Sequence, residues 1–203
     1  MTLRFTAPVL ALALAFDAAA ATEPNKEGAA PPGYTMQRQG HVDDFAFFEG
    51  AWTTKQHKLK ARGVGSSDWE DFPAVLCNVR YLGGGATVDE LWAPTQQRAG
   101  LTLRMFDPAA KQWSIYWASS ATGKLDPVPV VGGFEGSRGE FYNVDHDGTR
   151  PIKVRYIWTK VDADHARWEQ AFSYDDRTWE TNWTADFTRG DATTLCRNGQ
   201  PKR

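Results

Sequence analysis

Two adjacent carboxylates, Asp89-Glu90, stand inside an otherwise apolar stretch. Neighbouring residues of a strand point to opposite faces, so one of the two must face a core. Val88 and Trp92 share a face with Glu90, which makes Glu90 the inward carboxylate. A carboxylate in apolar surroundings takes either a raised pKa or a cationic partner. Glu90 is therefore a ligand anchor, a general acid/base, or the partner of a structural arginine such as Arg80 or Arg104. Gln170 is a second polar residue on an apolar face, able to orient a ligand or to satisfy a backbone group beside a bulge. Alternation places Thr181 inward with it, and Glu169, Glu180 and Asn182 outward. Asn182-Trp183-Thr184 fits a glycosylation sequon, read here as a chance match.

Four histidines complete the inventory: His41, His57, His146 and His165. No two have metal-ligand spacing such as His-x-x-x-His, so no metal site is expected. His57 is the best placed to face an interior, but Lys55, Lys58 and Lys60 around it suit an exposed strand. Aromatics carry the largest signal: nine Trp, eleven Phe and six Tyr. Trp92, Trp117, Tyr156, Trp158, Trp168 and Trp183 could line one cavity together with Glu90 and Gln170. Aromatic walls with a few polar groups describe a small-molecule site. The alternative is that the tryptophans simply fill the interior.

These residues need elements to hold them. From Gly50 onward the hydrophobic period is two, not 3.6. Ten strands are expected: 51–62, 69–82, 87–93, 100–106, 112–119, 128–134, 140–144, 151–161, 166–174 and 179–188. Asp107-Pro108, Gly136-Ser137, Asp147-Gly148, Asp162–Asp164 and Asp175-Asp176 supply turn chemistry between them. Residues 41–49 read as a short helical plug carrying Phe45, Phe47 and Phe48. Consecutive half-polar strands joined by short loops remove their edges by closing into a barrel. A two-sheet sandwich is the competing arrangement. The predicted fold is all-β: a single antiparallel up-and-down β-barrel of about ten strands with a short N-terminal helical plug.

The chain has 203 residues, 41% hydrophobic and 24% charged, which suits one globular domain. A formal net charge of −2 argues against a nucleic-acid partner. Residues 1–21 have the parts of a secretory signal: Arg4, the apolar run Val9–Phe16, and small residues for cleavage near Ala20-Ala21. No later run is long enough to span a membrane. The expected layout is a signal peptide at 1–21, a flexible linker at 22–44, a barrel at 45–189 and a tail at 190–203. An exported protein meets an oxidising compartment, so Cys77 and Cys196 are expected to bridge.

At Phe48-Glu49-Gly50-Ala51-Trp52 the chain resembles the opening of calycins, the lipocalin and fatty-acid-binding-protein superfamily. The resemblance implies that Trp52 caps the barrel bottom and that a late arginine, Arg189, stacks over it. Asp68–Phe72, Leu82–Gly84 with Asp89-Glu90, Gly100–Arg104, Trp113–Trp117, Arg167–Phe172 and Trp179–Trp183 are similar to a bacterial calycin-like family known only as a domain of unknown function. The resemblance runs from about Phe45 to Arg189 and implies a fold without an activity. Members often carry a His shortly after that Trp, where Lys55 stands here. Some calycin-like barrels hold haem on a late His. No His follows His165 and there is no Cys-x-x-Cys-His, so no cofactor is expected.

Three functions follow from this sequence. The first is an exported, soluble barrel that binds a small, largely apolar or aromatic molecule. The second is a lipocalin-like enzyme, an isomerase, cyclase or hydrolase, with Glu90 as acid/base. The third is a carbohydrate-binding module with an outward row of Trp. The direction in which the Trp side chains point discriminates between them.

Overall fold

The computed structural model describes residues 30–203; the expected signal peptide and residues 22–29 of the linker lie outside the described residues. Its centre is a closed antiparallel barrel of ten strands. They are β1 (Gly50–Leu59), β2 (Trp69–Tyr81), β3 (Ala86–Ala93), β4 (Arg98–Asp107) and β5 (Gln112–Ser119). After the two-residue strand β6 (Lys124–Leu125) come β7 (Val130–Glu135), β8 (Arg138–Asp147), β9 (Arg150–Lys160), β10 (His165–Ser173) and β11 (Glu180–Gly190). Each long strand pairs with its sequence neighbours, and β1 pairs with β11 to close the ring, from Ala51 opposite Gly190 to Lys58 opposite Trp183.

The turns work as their residues require. Asp107 Oδ1 accepts from the amides of Ala109 and Ala110, Asp162 Oδ1 from Asp164 and His165, and Asp175 Oδ1 from Arg177 and Thr178. Gly136 and Gly148 take the positive φ, 61° and 65°, that their tight hairpins demand. The seam between β5 and β7 is the shortest, pairing only Trp113–Ile115 with Val130–Gly132. Above it β5 pairs with β6 instead, at Ala118 and Ser119.

One end of the barrel is plugged. A single 3-10 turn, Ala46–Phe48, inserts Phe45 and Phe48 among Trp52, Trp113, Trp158 and Phe187. Trp52 donates its indole N–H to the Phe48 carbonyl at 2.9 Å. The Arg189 guanidinium lies 4.2 Å from the centroid of the Trp52 ring. It also donates to the carbonyls of Phe47 (2.7 Å), Glu49 (3.0 Å) and Ala163 (3.1 Å). Trp52 and Arg189 thus close the bottom.

Composition reads residues 22–44 as a flexible linker, yet the described part is tied to the outer wall. Trp179 donates to the Pro32 carbonyl, Gln112 to those of Met36 and Arg38, and Arg38 pairs with Glu135 and Glu140. The strap crosses β7 at Gly133, where a Cβ would lie 2.4 Å from the Gln39 carbonyl carbon. Only glycine fits beneath it. At the other terminus Cys77 and Cys196 form a disulfide, with Cα atoms 6.1 Å apart. The bridge fixes helix α1 (Ala192–Leu195) and the hairpin β12 (Cys196–Arg197) and β13 (Gln200–Pro201) over the outside of β2 and β3. No helix among the described residues is long and apolar enough to cross a membrane.

Candidate functional site

A deep chamber of about 70 Å³ lies inside the barrel above the plug. Trp117, Tyr156, Trp158, Trp168 and Trp183 line it, with Leu76, Leu91, Ile115, Ala185 and Phe187 filling the wall between them. Period-two alternation aims these side chains inward from β2, β3, β5, β9, β10 and β11. The rings meet edge to face: Tyr156 on Trp168 at 5.0 Å, Trp168 on Trp183 at 5.5 Å, and Trp183 on Trp117 at 6.1 Å. Trp117 reaches across β4 because Gly100 has no side chain; a Cβ there would lie 1.8 Å from its ring.

The chamber shares Ile115, Trp117, Tyr156, Gln170 and Trp183 with a wider space of about 420 Å³ at the open end. Lys58, Arg62, Asp126, Asn143, Asp145, His146 and Asp147 surround that mouth. Lys58 holds its ammonium 4.1 Å from the Trp183 ring centroid. Burial lowers its pKa, and Arg62 adds to the effect. Burial raises the pKa of Asp126, helped by Asp145. Burial also raises that of the Tyr156 hydroxyl, so it stays protonated.

Of the eight residues expected to line a ligand site, Trp117, Tyr156, Trp158, Trp168, Gln170 and Trp183 meet in the chamber. Glu90 and Trp92 do not. They face outward, where Arg203 pairs with the Glu90 carboxylate and sits 4.5 Å over the Trp92 ring. Strand β3 is apolar on its outer face because the C-terminal hairpin covers it. Alternation then points the wrong carboxylate inward.

Asp89 is the inward carboxylate, 1% exposed, and its Oδ2 pairs with Arg104, itself 2% exposed. Asn78 donates to the same oxygen at 3.3 Å, and Thr87 Oγ1 accepts from Arg104 at 3.4 Å. The Arg104 guanidinium also lies 5.0 to 5.4 Å over the rings of Phe45, Phe48 and Trp158. Asp89, Arg104 and Trp158 therefore make the chamber floor. The sequence offers Arg104 as a structural arginine for Glu90; the structure pairs it with the neighbouring Asp89 instead.

Strand β11 brings a second correction. A bulge between β10 and β11 opposes Gln170 to Trp183 but Ala171 to Thr181. Asn182 is the extra residue; it is buried, 0% exposed, and accepts from Gln170 Nε2 at 2.7 Å. It does not face solvent as strict alternation implies, and a buried amide is no glycan acceptor. Glu180 receives the Gly63 amide at 2.8 Å and clamps the β1–β2 loop. Gln56, which sequence reasoning passed over, links Thr54 to the Trp183 indole at 2.7 and 2.8 Å. The signal was present in Trp52-x-Thr54-x-Gln56-x-Lys58, a period-two inward row.

The histidines lie apart. His57 stacks on Trp69 outside the barrel and pairs with Asp71 at 2.6 Å. His165 pairs with Asp162 in the β9–β10 turn at the plugged end, and the His41 carbonyl accepts from Trp113. His146 lies at the mouth. Among the described residues no group of three or more His, Cys, Asp or Glu is arranged to hold a metal ion. Compared with known proteins, the chain matches no family model and no curated protein sequence.

Proposed function

We propose that this chain is an exported, calycin-like barrel that carries one small, largely aromatic molecule, taken in through the open end. The observation that carries the reading is the continuous aromatic wall: Trp117, Tyr156 and Trp183 are shared between the mouth and the deep chamber, and Trp168 continues it inside. A mouth of about 420 Å³ falls within the usual range for ligand pockets, ~300–1,000 Å³. The disulfide and the leader-like residues 1–21 support export. Glu90 faces outward and is paired with Arg203, so the acid/base role expected of it would lie outside the barrel interior. The outward tryptophans, Trp69, Trp92 and Trp179, are each covered by a neighbour, His57, Arg203 and Arg155 respectively. They form no flat row for a sugar, which favours the interior site.

The test is naphthalene binding followed through the indole N–H resonances of ¹⁵N-labelled protein. Saturable shifts of Trp117, Trp168 and Trp183, with Trp69 and Trp92 unmoved, are expected. Shifts confined to the outer tryptophans, or none at all, would overturn the reading.

A further inference from the structure

We infer that the chamber floor selects an uncharged hydrogen-bonding head group, such as a phenol or carboxamide, and that Asp89 is the residue that keeps carboxylates out. The inference rests on the ligand-binding reading above. The floor is polar and only partly satisfied. Asp89 Oδ1, Arg104 Nε and Trp158 Nε1 are buried and make no hydrogen bond to any described residue. Asp89 and Arg104 meet through the other carboxylate oxygen and the terminal guanidinium nitrogen. What remains is one acceptor and two N–H donors, all from residues that line the chamber. Buried polar groups are costly when unmet, so they reward a partner that supplies both functions.

Charge decides the kind of head. An arginine alone at the base of an apolar chamber would recruit a carboxylate, the fork-shaped pairing it makes best. Here Asp89 has already neutralised it. An entering carboxylate would lose its water, meet no uncompensated cation, and face the spare oxygen of Asp89. A phenol or primary amide can donate to that oxygen and accept from the two N–H groups. The deep chamber, about 70 Å³, suits a head of a few non-hydrogen atoms, leaving the aromatic body in the wider space against Trp117 and Trp183.

The experiment compares naphthalene, 2-naphthol and 2-naphthoate on the mature protein by calorimetry and by the Trp158 indole resonance. 2-Naphthol is expected to bind roughly tenfold tighter than naphthalene, the gain of one or two well-made hydrogen bonds. It should shift the Trp158 N–H, whereas 2-naphthoate should leave that resonance in place. Asp89→Asn frees the Arg104 charge and should raise 2-naphthoate affinity at least tenfold while making it shift Trp158. That variant leaves a buried cation unpaired and can fail to fold. The double variant Asp89→Leu/Arg104→Met replaces the pair by apolar volume. It should keep naphthalene binding and lose the 2-naphthol advantage. Equal affinity for naphthalene and 2-naphthol in the natural protein would overturn the inference, as would a Trp158 shift by 2-naphthoate. Either result leaves the carrier reading standing, because that reading fails only if naphthalene itself does not enter.

Discussion

Arg189 ties three carbonyls from two parts of the chain to the face of Trp52, so its loss cannot be local. Arg189→Met keeps volume but leaves those carbonyls without their donor. It should cost about 1–3 kcal/mol, read from the urea midpoint at constant slope. Asp175 offers a contrasting case in acid. Amide and hydroxyl donors from Thr178 and the Arg177 amide hold its carboxyl at about 2, well below the ordinary value. A depressed folded pKa means stability that is present above the ordinary carboxylate pKa and lost as pH falls through about 2. Carbon-detected NMR titration should place the Asp175 midpoint near that value. Asp175→Asn should show a smaller acid-limb loss than the natural protein. At this scale the site was half legible. Six inward aromatic and amide positions followed from simple alternation. Asp89 was misread because Val88 and Trp92 face a hairpin from the far end of the chain, and no local pattern reveals such a cover.

Whole elements were easier to find than their faces. All ten barrel strands were visible as runs of alternating residues, because nearly every hairpin is stopped by an Asp or Gly turn, the β3–β4 turn at Pro94–Gln97 being the exception. The plug was legible from its phenylalanines. Strands β3 and β4 defeat the inward-apolar rule together: β4 turns Thr102 and Arg104 inward and leaves Leu101 and Met105 outside. Strand β11 defeats it through the bulge at Asn182, which shifts the face of everything before it. The N-terminal strap depends on one backbone crossing. Gly133→Ala would push the Gln39 backbone off β7. It should cost about 1–3 kcal/mol and open Arg38 to trypsin, seen as a single early cut by mass spectrometry. The opposite terminus depends on the disulfide, which closes a loop of 119 residues. Cys77→Ser/Cys196→Ser should lower stability by about 3–5 kcal/mol. Amide exchange should rise in β12 and β13 first, before the barrel strands respond.

Ring closure gives the molecule its cooperativity. Among the described residues no long strand has a free edge, and β1 and β11 are partners. Removing residues 180–203 takes β11 away and leaves β1 and β10 as two unpaired edges, a template for aggregation. That truncation should yield insoluble protein without the far-ultraviolet signal of the native sheet. Removing only 191–203 spares the ring and should yield a folded, less stable barrel; circular dichroism and melting temperature distinguish the two.

The sealed bottom has a consequence for traffic. With Trp52, Arg189 and the phenylalanine turn stopping one end, the interior formed by the described residues is a blind alley that opens at the other end. Whatever enters must leave by the way it came, head last. Residence time is then governed by the rim, at residues 60–68, 94–97, 120–129, 148–149 and 174–179, rather than by the grip of the inner walls alone. Apart from the two-residue strand β6, the rim loops carry none of the ring's pairing. In the carrier proposed above, exchange rate and selectivity can therefore drift independently over generations, one written in the doorway and the other in the floor.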